Sequence, residues 1–236
     1  MRKIVLLIGV LLLCLNVFGQ DDKAVCIQIN DLNTAVLNGT INKRAAVKKL
    51  DELMAQLRGN KPMLKSYNWI FPLKGYKSNA IGGTNGNGYS DKGYRYLDGN
   101  KHAAHPAHDI FITDKNQDCI DDRTHKPVDV LAVEDGIVIA CSNEWEPTSN
   151  LRGGKYIWIY NYYLNIITYY AHNNIIFVKP GDEVKRGKKI AEVGRTGYNA
   201  YKKRSPTHLH FSAFRLVDGV PVPFNPYSQL KKAKTI

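Results

Sequence analysis

The sequence predicts a mainly β protein, an antiparallel β-sheet domain with glycine-rich hairpins preceded by a short helical N-terminal segment. Three observations carry this. Short β-branched and aromatic runs recur between Gly, Pro, Asn and Asp, from "DIFI" (109–112) through "VDVLAV" (128–133), "GIVIAC" (136–141), "YIWIYN" (156–161) and "NIITYYAH" (165–172) to "KIAEVG" (189–194) and "THLHFSAF" (207–214). None of these runs is followed by a long helix-period stretch, which argues against a parallel α/β sheet. Helical spacing is confined to the part before residue 60, which from residue 20 onward lacks Trp, Tyr and Pro.

Taken in order, residues 1–19 predict a cleaved signal peptide. Arg2 and Lys3 precede the apolar run from Ile4 to Leu15, and Val17-Phe18-Gly19 supplies a cleavage site. The run is shorter than the roughly 20 residues of a spanning helix, so no stable membrane span is expected. The chain is expected to be exported, to a periplasm or the exterior. Lipid attachment at Cys14 is the alternative, with Leu13 standing where a small residue belongs. Residues 20–64 form the helical segment: Ile41, Val47, Leu50, Met54 and Leu57 share one face, Thr40 is expected to cap the start and Gly59 to end it. A shorter helix is expected before it, and the segment reads as a structural appendage.

The net charge is +12, and loss of Arg2 and Lys3 with the signal lowers it only slightly. A basic exported chain is drawn to anionic wall polymers or membrane surfaces, whereas nucleic acid is not an expected partner outside the cell. Lys185, Arg186, Lys188, Lys189, Lys202, Lys203 and Arg204 are candidates for a basic rim, and residues 229–236 for a basic tail. Of Cys26, Cys119 and Cys141, the last two are the expected disulfide pair. No C-x-x-C spacing suggests a zinc ribbon.

Within the β domain, 65–228, the stretch "NAIGGTNGNGYSDKGY" (79–94) is a long loop, of the kind that covers a groove. "DKNQDCIDD" (114–122) imitates half of a calcium loop, but Cys119 replaces its turn glycine and His125 its bidentate glutamate, so a surface loop is expected. In "GDEVKRGKKIAEVGRTG" (181–197), Gly181, Gly187, Gly194 and Gly197 permit tight turns that hold strands in register.

Four of the seven histidines lie in "HPAHDIF" (105–111) and "THLHFSAF". On a strand, His208 and His210 share one face and Leu209 and Phe211 the other. A straight chain would hold the Cα atoms of His105 and Asp109 about 13 Å apart. Pro106 and the small Ala107 make a bend feasible, after which both could reach one ion. One His and one Asp here with one later His would give three ligands and an open fourth position, as in a catalytic zinc site. His172, after an aromatic strand, could face the same cleft. Each of these histidines taken alone is more often a satisfied structural residue than a functional one.

Together the motifs resemble the lysostaphin-type zinc peptidases, exported enzymes that cut peptide bonds in bacterial cell walls. The resemblance rests on "HPAHD", "YAH" (170–172) and "HLH" (208–210), with "PVDVLAVEDGIVIA" (127–140), "KPGDEVKRGKKIAEVGRTG" (179–197), "SPTHLHF" (205–211) and "FNP" (224–226) in support, over roughly residues 65–228. It implies one Zn2+ held by His105, Asp109 and His210, with His172 and His208 as catalytic histidines that are not ligands. The implied activity is zinc-dependent endopeptidase action on peptidoglycan peptides, with zinc lowering the pKa of water towards about 7. The alternative within the same fold is a non-catalytic wall-binding or hydrolase-activating regulator, a role for which relatives typically lack some ligands. Ala107 stands where the family usually has glycine, and His108 is extra and expected to face away. A third possibility is a cupin-like site that uses His172 in place of His105 and Asp109.

Overall fold

A computed structural model describes residues 22–63, 68–101 and 104–236. The expected signal peptide, Cys14 and the boundary at 64/65 lie outside the described residues. Among the described residues, no helix is long and apolar enough to cross a membrane.

Residues 22–38 form helix α1, and Lys43–Arg58 form α2. The first helix is therefore not the shorter one. Val25, Cys26, Ile29, Leu32 and Val36 make a continuous buried stripe at helical spacing. Thr40 does not cap α2: its hydroxyl bonds back to the Ala35 carbonyl, and Asn42 accepts from the Arg44 and Ala45 amides instead. Gly59, at φ 50°, does end α2, its N–H donating to Ala55.

Ten strands follow. They are β1 (His108–Phe111), β2 (Asp129–Leu131), β3 (Gly136–Ser142), β4 (Tyr156–Asn161), β5 (Ile166–Ala171), β6 (Asn173–Ile176), β7 (Glu183–Val184), β8 (Lys189–Val193), β9 (His208–Val217) and β10 (Val220–Pro223). The larger sheet runs β1-β9-β5-β4-β3-β7, with β10 on the second half of β9, and the smaller runs β2-β8-β6. All strand pairs are antiparallel.

Strand parity splits the large sheet between two cores. Ile157 and Ile159 of β4 and Leu209 and Phe211 of β9 face the small sheet, where Val130, Ile190 and Val193 meet them. Tyr156, Trp158 and Tyr160 of β4 and Phe214 of β9 face the other way, against Ile29, Leu32, Leu50, Leu53 and Leu57 of the two helices. The helical segment thus shares a core with the sheet.

The C-terminal residues are not a loose tail. Helix α3 (Tyr227–Lys232) runs across residue 228, and Leu230 is fully buried. Lys234 then exchanges backbone hydrogen bonds with Trp69 and Phe71. The expected disulfide is also absent, since Cys26, Cys119 and Cys141 are all free thiols. Each is held locally: Cys26 lies in the helix–sheet core, Cys141 Sγ donates to the Val178 carbonyl, and the Cys119 amide donates to Asp114. Burial pushes the thiols of Cys119 and Cys141 up to about 11.

Candidate metal centre

The chain bends at Pro106. The Ala107 amide donates to the His105 carbonyl at 2.8 Å, a three-residue turn that folds the segment back on itself. Upstream, His105 and Ser90 exchange both backbone hydrogen bonds, so the glycine-rich loop fixes the approach to the bend. In consequence His105 Nε2 lies 3.2 Å from Asp109 Oδ1, where an extended chain would have separated them. Pairing of β1 with β9 sets Asp109 opposite His210, whose Nδ1 is 3.1 Å from the same oxygen. One donor atom each from His105, Asp109 and His210 falls within a 4.8 Å span, the sole such group of three among the described residues. The corresponding side chains keep 39%, 26% and 18% exposure, so solvent reaches the centre.

The donor set suits a metal ion. His105 Nδ1 sits 2.9 Å from the Gly88 carbonyl, which only accepts, so its proton is assigned there. That leaves Nε2 aimed at a carboxylate oxygen, a pairing that calls for a second ring proton or a cation between the two. A backbone carbonyl fixing the tautomer of a metal-facing imidazole is the usual supporting arrangement. Burial would raise the Asp109 pKa, but hydrogen bonds from His105 and His210 and the fields of His210 and His208 hold it far below the carboxylate range. The Asp109 bond raises His105 against the effect of burial, whereas burial lowers His210.

The other two histidines flank this triad. His172 lies 4.9 Å from His208 and 5.3 Å from His210, centroid to centroid. His172 Nδ1 faces the Thr196 carbonyl at 2.7 Å, and His208 Nδ1 faces the Pro206 carbonyl at 2.7 Å. Both rings are thereby assigned a proton on Nδ1 and a bare Nε2. The His208 Nε2 lies 3.6 Å from Asp109, beyond hydrogen-bond length. His172 adopts φ 66°, a left-handed conformation uncommon outside glycine and frequent at functional sites. Burial, then the fields of His208 and His210, lower its pKa well below the usual value.

His108 points away from the centre. Its Nε2 meets Asn225 of "FNP" at 2.8 Å and its ring lies between Tyr89 and Tyr227. The aspartates of the 114–122 loop hold protein groups. Asp114 accepts from the Gln117, Asp118 and Cys119 amides and, at 2.6 Å, from the Thr207 hydroxyl beside His208. Of the basic residues, Lys185 pairs with Asp135 and Lys189 with Asp129 and Glu192. Lys202, Lys203 and Arg204 belong to a loop whose Asn199, Ala200 and Ser205 line the cleft. The carbonyls of Gly88, Thr196 and Pro206 orient the rings and went unnoticed in the motifs. Only Gly88 itself and Gly197, next to Thr196, mark two of them in the sequence.

Burial depresses His108, His172 and His210, whereas His105 is raised. A lowered histidine stabilises the fold above the unfolded value near 6.5, and that contribution is lost as pH falls below it. The raised His105 acts in the opposite sense. With three against one, the chelator-treated protein is expected to melt roughly 5 °C lower at pH 5 than at pH 7. Differential scanning fluorimetry would read this, and an unchanged or higher midpoint would count against neutral buried rings.

Residues 115–223 match the family model described as Peptidase family M23. His172, His208 and His210 lie inside that match, and His105 and Asp109 just before it. Over 82 residues the chain is 35% identical to the murein hydrolase activator NlpD of Escherichia coli strain K12, covering 35% of this chain and 18% of that protein. NlpD of Salmonella dublin gives 35% over 82 residues, covering 35% and 19%. The chain thus spans less than a fifth of the length of the curated relatives it matches. Among solved structures, the catalytic domain of the antimicrobial peptidase lysostaphin from Staphylococcus simulans is 26% identical at a TM-score of 0.40, covering 57% of this chain and 82% of that one. A zinc containing peptidase from Vibrio cholerae is 25% identical at 0.41, covering 73% and 41%. Over residues 115–223 the β domain is thus similar to peptidase family M23, in keeping with the lysostaphin-type resemblance of its motifs.

Proposed function

We propose that this protein is an exported, zinc-dependent endopeptidase that hydrolyses peptide bonds in bacterial peptidoglycan. The observation that carries the reading is the convergence of His105, Asp109 and His210 on one point, with two further imidazoles beside it. Two nitrogens and one carboxylate oxygen are a donor set that zinc accepts with a position left over. When bound, the ion supplies Lewis acidity toward a carbonyl and lowers the pKa of water. The chain's own residues then handle protons. His172 and His208, each with Nδ1–H held by a carbonyl, present Nε2 to the cleft, one to take a proton and the other, once protonated, to donate to the developing oxyanion. The loop carrying Lys202, Lys203 and Arg204 offers positive charge to an anionic wall polymer.

A second reading, activation of a separate wall hydrolase, is favoured by the identity with murein hydrolase activators. Digestion of purified sacculi separates the two. Soluble muropeptides released by the protein alone, and abolished by a chelator, are the expected result. No release alone, but stimulation of an added hydrolase that survives the chelator, would replace the first reading by the second.

A further inference from the structure

The two histidines that flank the triad are held by carbonyls on different segments, Thr196 just after β8 and Pro206 just before β9. One side chain ties these segments together. Arg195, the residue before Thr196, sends its guanidinium across to the loop that ends at Pro206. Its Nη1 donates to the Ser205 carbonyl at 2.6 Å and to the Thr207 hydroxyl at 3.2 Å. Its Nη2 donates to the Lys202 carbonyl at 3.0 Å and, at 3.5 Å, to that of Tyr201. The grips on Ser205 and Thr207 stand on either side of Pro206, which has no N–H of its own to anchor the turn. The carbonyl that faces His208 is therefore fixed from both neighbours.

The Thr207 hydroxyl gives this grip a direction. It accepts from Arg195 and gives its single proton to Asp114 Oδ2 at 2.6 Å, so it stands between a guanidinium and a carboxylate. Hydrogen bonds to a charged group are roughly twice as strong as neutral ones, and both bonds here are of that kind. Thr207 and Asp114 are buried, and Asp114 is itself fixed by the Gln117, Asp118 and Cys119 amides. Thr196 is anchored independently of the guanidinium. Its own hydroxyl donates to the Asn173 carbonyl at 2.8 Å and accepts from the Lys155 amide at 2.9 Å. The guanidinium of Arg195 thus bears on His208 and not on His172.

We propose that Arg195 is the positioning residue for His208: by fixing the Pro206 carbonyl it keeps the ring proton on Nδ1 and leaves Nε2 bare. Which nitrogen of an imidazole carries the proton is set by the hydrogen bond that the other makes. A ring released from the carbonyl is free to carry its proton on Nε2, the atom that has to stay bare to accept one. The effect on turnover rests on the hydrolase reading, whereas the effect on the ring does not.

The test uses the full chain loaded with zinc and reads the ring proton separately from turnover. Long-range proton–nitrogen NMR spectra of the histidine-labelled parent should show His172 and His208 both protonated on Nδ1. Arg195→Ala should move His208 toward the Nε2–H form while His172 and the zinc content stay as they are. Arg195→Lys, whose single ammonium cannot span the same acceptors, should act alike. Thr207→Val keeps the shape of the side chain but removes the hydroxyl, and should move His208 in the same direction by less. On a soluble cross-linked muropeptide, Arg195→Ala should lose about 10–100-fold in kcat with KM little changed, part of the ~10²–10⁴ that a positioned proton-transfer group supplies. A change in both histidines would make Arg195 a general prop of the fold and overturn the proposal. If the parent digests sacculi but neither Arg195 variant moves His208, the positioning role falls alone. If His208 moves as expected but the parent digests nothing, the hydrolase reading falls alone.

Discussion

Asp109→Ala is expected to leave the purified protein without its metal and without wall-digesting activity. The carboxylate is the one anion among three imidazoles, with Oδ1 at 3.1 Å from His210, 3.2 Å from His105 and 3.6 Å from His208. Its low pKa keeps it ionised through any working pH. Loss of a group that merely supports a ligand costs about 10–100-fold in metal affinity, so loss of the charged ligand itself should exceed about 100-fold. His210→Ala should behave alike, since it removes the only member of the triad that comes from β9. Metal analysis after gel filtration measures both. Retention of one equivalent by either variant would overturn the ligand assignment. Retention by Asp109→Ala with loss in His172→Ala would point instead to an all-histidine site of the cupin-like kind.

The shared face of His208 and His210 was legible because strand periodicity is local and Leu209 and Phe211 mark the buried side. The bend at Pro106 was legible in kind, since proline and a small neighbour permit it, but not in degree. The closing distance is set by Ser90, which lies 15 residues upstream and whose backbone pairing leaves no side-chain signature. The same limit hid the Gly88, Thr196 and Pro206 carbonyls, because a backbone acceptor is present at every position and becomes specific only by placement. Two expectations failed for different local reasons. Thr40 and Asn42 are both good caps, and the chain uses Thr40 to close α1 and Asn42 to open α2. The expected pairing of Cys119 and Cys141 rests on their place in one domain, a criterion that knows nothing of where each thiol packs. The depth of the helical segment's engagement was missed for a related reason. Asn33, Val36 and Leu37 carry no mark of their own in the sequence, and only the aromatic face of β4 opposite them shows that α1 also lines the cleft.

His172→Ala should separate metal binding from turnover. The ring stands beside the triad rather than in it, so the variant is expected to keep one equivalent of metal. Its Nδ1 proton is held by the Thr196 carbonyl, and burial keeps Nε2 unprotonated well below the usual histidine range. Removal of such a group should lower kcat by about 10²–10⁴-fold. The left-handed backbone at this position strains alanine, so His172→Asn, a residue that tolerates φ above zero, controls for a folding effect. Both variants should match the parent in metal content and lose turnover alike. His208→Ala is expected to show a loss of similar size, and the double variant much less than the product of the two, because proton transfer in and out of the cleft uses them as a unit. If the losses multiply instead, the two rings serve independent steps, and if His172→Asn retains full kcat, His172 only shapes the wall.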